Sequence, residues 1–159
     1  MSNNAAVYVA VIGGSQAPPE VAALAREVGR EVARKGAVLL CGGLGGVMAA
    51  AAQGASEAGG VSLGVLPDAD RGRANPYLTY SIATNLGHAR NVLIAHSADA
   101  VIAVDGDYGT ISEAAIALKL GKPVVALKTD WDLRGLQRAA TAQEAVALVW
   151  TALGKFEAK

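Results

Sequence analysis

A single cysteine, Cys41, stands in 159 residues. It excludes an internal disulfide and fits a reducing cytoplasm. Only two histidines are present, His88 and His96, and no cysteine or carboxylate constellation completes a metal site around them. No metal centre is therefore expected. Charge of either sign is not in excess: 14 Lys+Arg face 14 Asp+Glu. General nucleic-acid binders carry a basic surplus, and no aromatic–basic stripe stands in for one here, so nucleic acid is not an expected partner. No uninterrupted apolar segment approaches the ~20 residues of a membrane span. Met1-Ser2-Asn3-Asn4 puts no basic stretch ahead of an apolar one, so the expectation is a cytoplasmic chain without a signal peptide or a membrane partner.

Aromatics are scarce too, at 4%, while 52% of the residues are hydrophobic and alanine and glycine abound. Small side chains let helices approach a sheet closely. A chain of this length fits a single domain, residues 1–159, with a real core. Five apolar runs have strand length: Val7–Ile12, Ala37–Cys41, Val61–Leu66, Ala100–Val104 and Val124–Leu127. They show little polar alternation, as strands covered on both faces do. Leu78–Ala83 is a candidate sixth. Helical stretches separate most of them: from Pro18-Pro19-Glu20 to Lys35, then about Gly45–Ala58, Leu86–Ser97, Ile111–Leu120 and Ala142–Leu153. Arg26, Arg30 and Arg34 share one face of the first helix and are read as a solvated face. Alternating strands and helices predict an α/β fold of three layers, a Rossmann-like, doubly wound, mostly parallel sheet with helices on both faces.

In such sheets, ligands bind beyond the carboxyl ends of the strands. Four unusual loops should converge there: Gly13-Gly14-Ser15, Cys41–Gly46, Pro67–Arg73 and Asp105–Thr110. Gly42, Gly43, Gly45 and Gly46 admit close backbone approach to a ligand. Their spacing matches neither the dinucleotide fingerprint nor a P-loop. The stretch Asp105-Gly106-Asp107-Tyr108-Gly109-Thr110-Ile111-Ser112-Glu113 joins a strand to a helix, a natural anion site. Thr110-x-x-Glu113 has two readings. It is either a capping box or a hydroxyl on a phosphate with a carboxylate aimed at the ligand. Arg90 sits near the start of a helix, where a cation opposes the dipole by a few tenths to about 1 kcal/mol. An anionic ligand, a carboxylate or an anchoring role in a neighbouring loop or subunit would account for it. Cys41 has no evident His partner and is read as buried rather than nucleophilic.

These motifs resemble the LOG-like superfamily, historically labelled lysine-decarboxylase-like. The resemblance runs from about residue 5 to 128. It rests on Gly42-Gly43-Leu44-Gly45-Gly46-Val47-Met48, on Arg90 at a helix head, and on Gly109-Thr110-Ile111-Ser112-Glu113. The family's Pro-Gly-Gly is here Asp105-Gly106-Asp107, and the Arg-Lys pair of its phosphoribohydrolases is Arg90-Asn91. The branch that includes molybdenum cofactor carrier proteins is more similar: it shares Gly64–Pro67, Gly87–Arg90, Ala117–Lys119 and Lys122–Val125.

The resemblance implies a carrier that binds a phosphorylated nucleotide or molybdopterin-like ligand without turning it over. The implied ligand contacts are Gly13, Gly14, Ser15, Gly42, Gly43, Gly45, Gly46, Met48, Arg90, Asp105, Gly106, Gly109, Thr110 and Glu113. The alternative is a phosphoribohydrolase that cleaves the N-glycosidic bond of nucleoside 5′-monophosphates, with Glu113 and Arg90 as its catalytic residues. Asp105 and Asp107 beside a phosphate disfavour the hydrolase, as does Asn91. The helices around 86–97 and 111–120 are apolar enough to face a second subunit. A homodimer or homotetramer is the expected assembly.

Overall fold

A computed structural model describes residues 5–155. Seven strands form one sheet: β1 (Tyr8–Gly13), β2 (Val38–Cys41), β3 (Ser62–Leu66), β4 (Tyr80–Ala83), β5 (Ala100–Val104), β6 (Val124–Leu127) and β7 (Gln137–Arg138). Every pairing is parallel, in the order β4-β3-β2-β1-β5-β6-β7. The predicted α/β architecture is therefore present, with a two-residue edge strand, β7, that its polar sequence does not announce. β5 is buried along its whole length, as is β6, which accounts for their unbroken apolar runs.

Five helices cover the two faces: α1 (Pro19–Arg34), α2 (Val47–Glu57), α3 (Arg90–Ser97), α4 (Tyr108–Lys119) and α5 (Ala142–Ala152). One core packs Val28 and Val32 of α1, Ala51 and Ala55 of α2, and Val146 and Val149 of α5 against Val9, Val11, Leu39 and Ile102. The other packs Ile94 and Ala95 of α3 and Ala114 and Ala117 of α4 against Ala10, Ile12, Val101 and Ala103. Alternate residues of each strand thus serve opposite layers. α1 and α2 nearly touch backbone to backbone, because a Cβ on Gly29 or Gly54 would overlap a carbonyl oxygen of the facing helix.

The three arginines of α1 are engaged. Arg26 and Arg30 both pair with Glu57 of α2, and Arg34 pairs with Glu31. All are at least partly exposed, where such pairs stabilise by about 1 kcal/mol at most. α3 ends on Lys122, whose ammonium donates to the carbonyls of Ala95 (2.8 Å) and His96 (2.6 Å). No helix among the described residues is long and apolar enough to cross a membrane.

Candidate functional site

The connections leave β1 toward β2 in one direction and β5 toward β6 in the other. β1 and β5 are neighbours, paired from Val9–Ala100 to Gly13–Val104. Strand order reverses between them, and the loops beyond their carboxyl ends part to leave a crevice. A cleft of about 280 Å³ lies there.

The cleft is lined by nine of the residues singled out from sequence: Gly13, Gly14, Ser15, Gly42, Met48, Arg90, Gly109, Thr110 and Glu113. Ile12, Leu44, His88, Asn91 and Asp107 complete it. Gly43, Gly45, Gly46, Asp105 and Gly106 stand outside the lining, and each has another role. Gly43 offers its carbonyl to the Asn75 amide at 2.9 Å, while the Asn75 side chain donates to Leu44. Gly45 and Gly46 press on the 14–16 loop. At Gly46 (φ +60°) a Cβ would collide with the Gly14 carbonyl. Asp105 (φ +52°) donates its N–H to Leu127 at 2.8 Å, and Gly106 accepts from the Trp131 indole at 3.2 Å. The 67–73 loop does not line the cleft either. It is held in part by an Arg73–Asp68 pair at 3.1 Å.

α4 starts at Tyr108, three residues before the predicted start, with Asp107 in the N-cap position and no side-chain capping bond. Thr110 and Glu113 therefore lie inside the helix, and the capping-box reading does not hold there. Glu113 turns inward instead. The same Thr-x-x-Glu pattern does cap α5: the Glu144 amide donates to Thr141 Oγ1 (3.1 Å), and Ala140 N–H donates to the Glu144 carboxylate (2.9 Å).

At the foot of the cleft, the Arg90 guanidinium meets Glu113. Arg90 is 9% exposed and Glu113 6%. Arg90 Nη1 donates to Asn91 Oδ1 at 2.8 Å and reaches Glu113 Oε1 only at 3.5 Å. Arg90 Nε is buried and makes no hydrogen bond. An unmet donor on a buried cation is costly. The Gly42 backbone packs against this guanidinium: a Cβ there would stand 2.5 Å from Nη1 and 2.7 Å from Met48 Sδ. A side chain at position 42 would have to shift the guanidinium or the Met48 thioether.

Burial pushes the Glu113 carboxyl from its ordinary 4.5 up to about 7, against the opposing pull of Arg90. Burial likewise lowers Arg90, with Glu113 countering. Cys41, buried at the end of β2, has its thiol pushed up to about 11 by desolvation and stays protonated. That protonation removes it as a nucleophile at neutral pH. No group of three or more metal-ligating side chains occurs among the described residues. Ile12, Leu44, His88, Asn91 and Asp107 are the cleft residues absent from the predicted contacts. The signal for Asp107 was its position, immediately before the helix that the Gly109-Thr110 segment opens.

The family model of the SLOG cluster4 family matches residues 6–152. The chain is 48% identical over 140 residues to an uncharacterized protein of Archaeoglobus fulgidus, covering 88% of this chain and 92% of that one. The molybdenum cofactor binding protein of the phototrophic bacterium Rippkaea orientalis has a similar structure. The TM-score is 0.89 at 34% identity, over 95% of this chain and 99% of that chain. The molybdenum cofactor carrier protein of Chlamydomonas reinhardtii gives a TM-score of 0.84 at 34% identity, over 95% of this chain and 100% of that chain. The chain belongs to the SLOG cluster4 family.

Proposed function

We propose that this SLOG cluster4 protein binds a phosphorylated, pterin-type cofactor of the molybdopterin class in the cleft between β1 and β5 and carries it without turnover. The observation that carries this reading is Arg90: a largely buried cation that lines a cleft at the strand-order reversal and reaches its counter-charge, Glu113, only at 3.5 Å. The similarity to cofactor carrier and binding proteins over nearly the whole chain supports it. At about 280 Å³ the cleft is at the small end of ligand pockets, which run from ~300 Å³ upward, and suits one phosphorylated head group rather than a dinucleotide.

In this reading Arg90 takes the anion. Gly13, Gly14 and Ser15 offer backbone and hydroxyl contacts beside it, and Thr110 and Gly109 line the other wall. Asp107, whose side chain has no capping bond, offers a carboxylate acceptor at the wall of the cleft. Exposed Tyr80, Ile82, Leu86, Val92, Leu93 and Leu120 on β4, α3 and nearby turns favour packing against further copies of the chain. Native mass spectrometry of the protein as purified tests both points, since it reports subunit number and retained ligand mass together. Arg90→Ala should lower the affinity for the cofactor at least tenfold, the worth of about one charged hydrogen bond. Equal calorimetric affinity would remove Arg90 from the site.

One observation favours a second reading. Glu113 lines the cleft with its carboxyl held near 7, suitable for general acid–base work on an N-glycosidic bond. Incubation with a panel of nucleoside 5′-monophosphates decides it: release of free base makes the protein a phosphoribohydrolase, and binding without release leaves it a carrier.

A further inference from the structure

Arg90 and Glu113 come from two helices, 23 residues apart in sequence, and meet beneath one cleft. The guanidinium is wedged against Gly42 and Met48, and Glu113 sits inside α4. An ionised Glu113 already supplies Arg90 with its counter-charge. A ligand oxyanion on the same guanidinium would put two negative groups beside one largely buried cation. Like charges so placed disfavour joint ionisation, and the buried one gives way most readily.

We propose that anion binding in this cleft is proton-linked: an oxyanion that docks on Arg90 enters together with one proton from solvent, and the Glu113 carboxylate receives it. The proposal rests on the anion-site reading above and adds its regulation. The bound anion then keeps Arg90 to itself, while protonated Glu113 remains beside it as a neutral neighbour. The other groups around the pair leave Glu113 as the natural acceptor. The Cys41 thiol from β2 is already protonated, and its anion is out of reach near neutrality. Asn91 from α3 and Met48 from α2 are uncharged. Asp68, beyond β3, acts on Arg90 as a nearby negative charge and is paired with Arg73. Asp107, at the head of α4, is a second carboxylate on the cleft wall, but an exposed one. His88, before α3, is the remaining cleft group that can gain a proton, so the test must separate it from Glu113.

The sign follows from linkage. Affinity is lowest when Glu113 is ionised, rises as pH falls through the value Glu113 has in the complex, and levels off below its value of about 7 in the free protein. Sulfate is the probe, because it remains a dianion throughout the range and contributes no titration of its own. Titration calorimetry of the full chain in buffers of different ionisation enthalpy measures affinity and proton uptake together. Wild-type protein is expected to bind sulfate about fivefold or more tightly at about pH 6 than at about pH 8.5, with about half a proton or more taken up between them. Glu113→Gln should bind at alkaline pH as tightly as wild type does at acid pH, with no uptake. His88→Gln should keep the wild-type uptake above neutrality.

Sulfate binding with no pH dependence and no buffer dependence in the wild type overturns the linkage and leaves the anion site standing. Uptake lost in His88→Gln but kept in Glu113→Gln also overturns it. No sulfate binding at any pH overturns the anion site and the linkage together. The wild-type measurement stands even where a variant folds poorly. A protein that shows linked sulfate binding but retains no pterin cofactor refutes the carrier reading alone.

Discussion

Glu113→Gln should stabilise the ligand-free protein at alkaline pH and leave it nearly unchanged in mild acid. The folded carboxyl titrates at about 7, whereas the unfolded chain returns it to about its ordinary 4.5. Between those two values the native state holds a proton that the unfolded state has lost. Stability is therefore full below about 4.5 and falls as pH rises through about 7. At ~1.36 kcal/mol per pH unit, the span corresponds to about 3 kcal/mol of destabilisation once the buried carboxylate ionises. The attraction of Arg90 is already included, since it opposes the rise. Glutamine has nearly the same volume and cannot ionise. The variant should exceed the wild type by about 2–3 kcal/mol at about pH 8.5, with the two converging below about pH 4.5. Urea unfolding followed by circular dichroism over that range measures the difference, and other titrating groups cancel between the two proteins. Parallel wild-type and variant profiles would refute the reasoning. So would a less stable variant at alkaline pH, because the 3.5 Å contact with Arg90 would then outweigh the desolvation of the carboxylate.

Two further outcomes follow from the packing. Gly42→Ala inserts a methyl 2.5 Å from Arg90 Nη1 and 2.7 Å from Met48 Sδ. It should lower the melting temperature through ~1–3 kcal/mol of overpacking and weaken sulfate binding about tenfold by displacing the guanidinium, both read against wild type by calorimetry. Thr141→Ala removes the hydroxyl that accepts from Glu144 at 3.1 Å at the head of α5. It should destabilise by about 1 kcal/mol in urea unfolding without altering ligand affinity, and a change below a few tenths would show that Glu144 alone holds that terminus.

The strands were legible because each buried run is continuous: Ala100–Val104 and Val124–Leu127 coincide with β5 and β6. Helix starts were less legible. Thr-x-x-Glu occurs at Thr110 and again at Thr141, and only the second is a cap. The spacing is identical. What differs is that Asp107 already occupies the N-cap of α4, so Thr110 falls in its first turn. The glycine loop was legible as a loop whose backbone comes close to something. Its four glycines then divide: Gly42 faces the cleft, while Gly43, Gly45 and Gly46 serve Asn75 and the 14–16 loop. No property of the segment itself distinguishes them, because the sorting depends on chain far away in sequence.

By itself the sequence determined the α/β alternation, the helical covering of both faces and the set of loops from which a site could be drawn. All of these follow from local patterns of apolar runs, glycines and caps. The tertiary structure decided that β1 and β5 lie side by side, that the cleft opens between them, and that Arg90 meets Glu113 under it with one donor unmet. Burial of a charge depends on every element packed around it. The raised Glu113 carboxyl, and the chemistry proposed for it, belong to that surrounding structure rather than to the Gly-Thr-x-x-Glu segment that carries the residue.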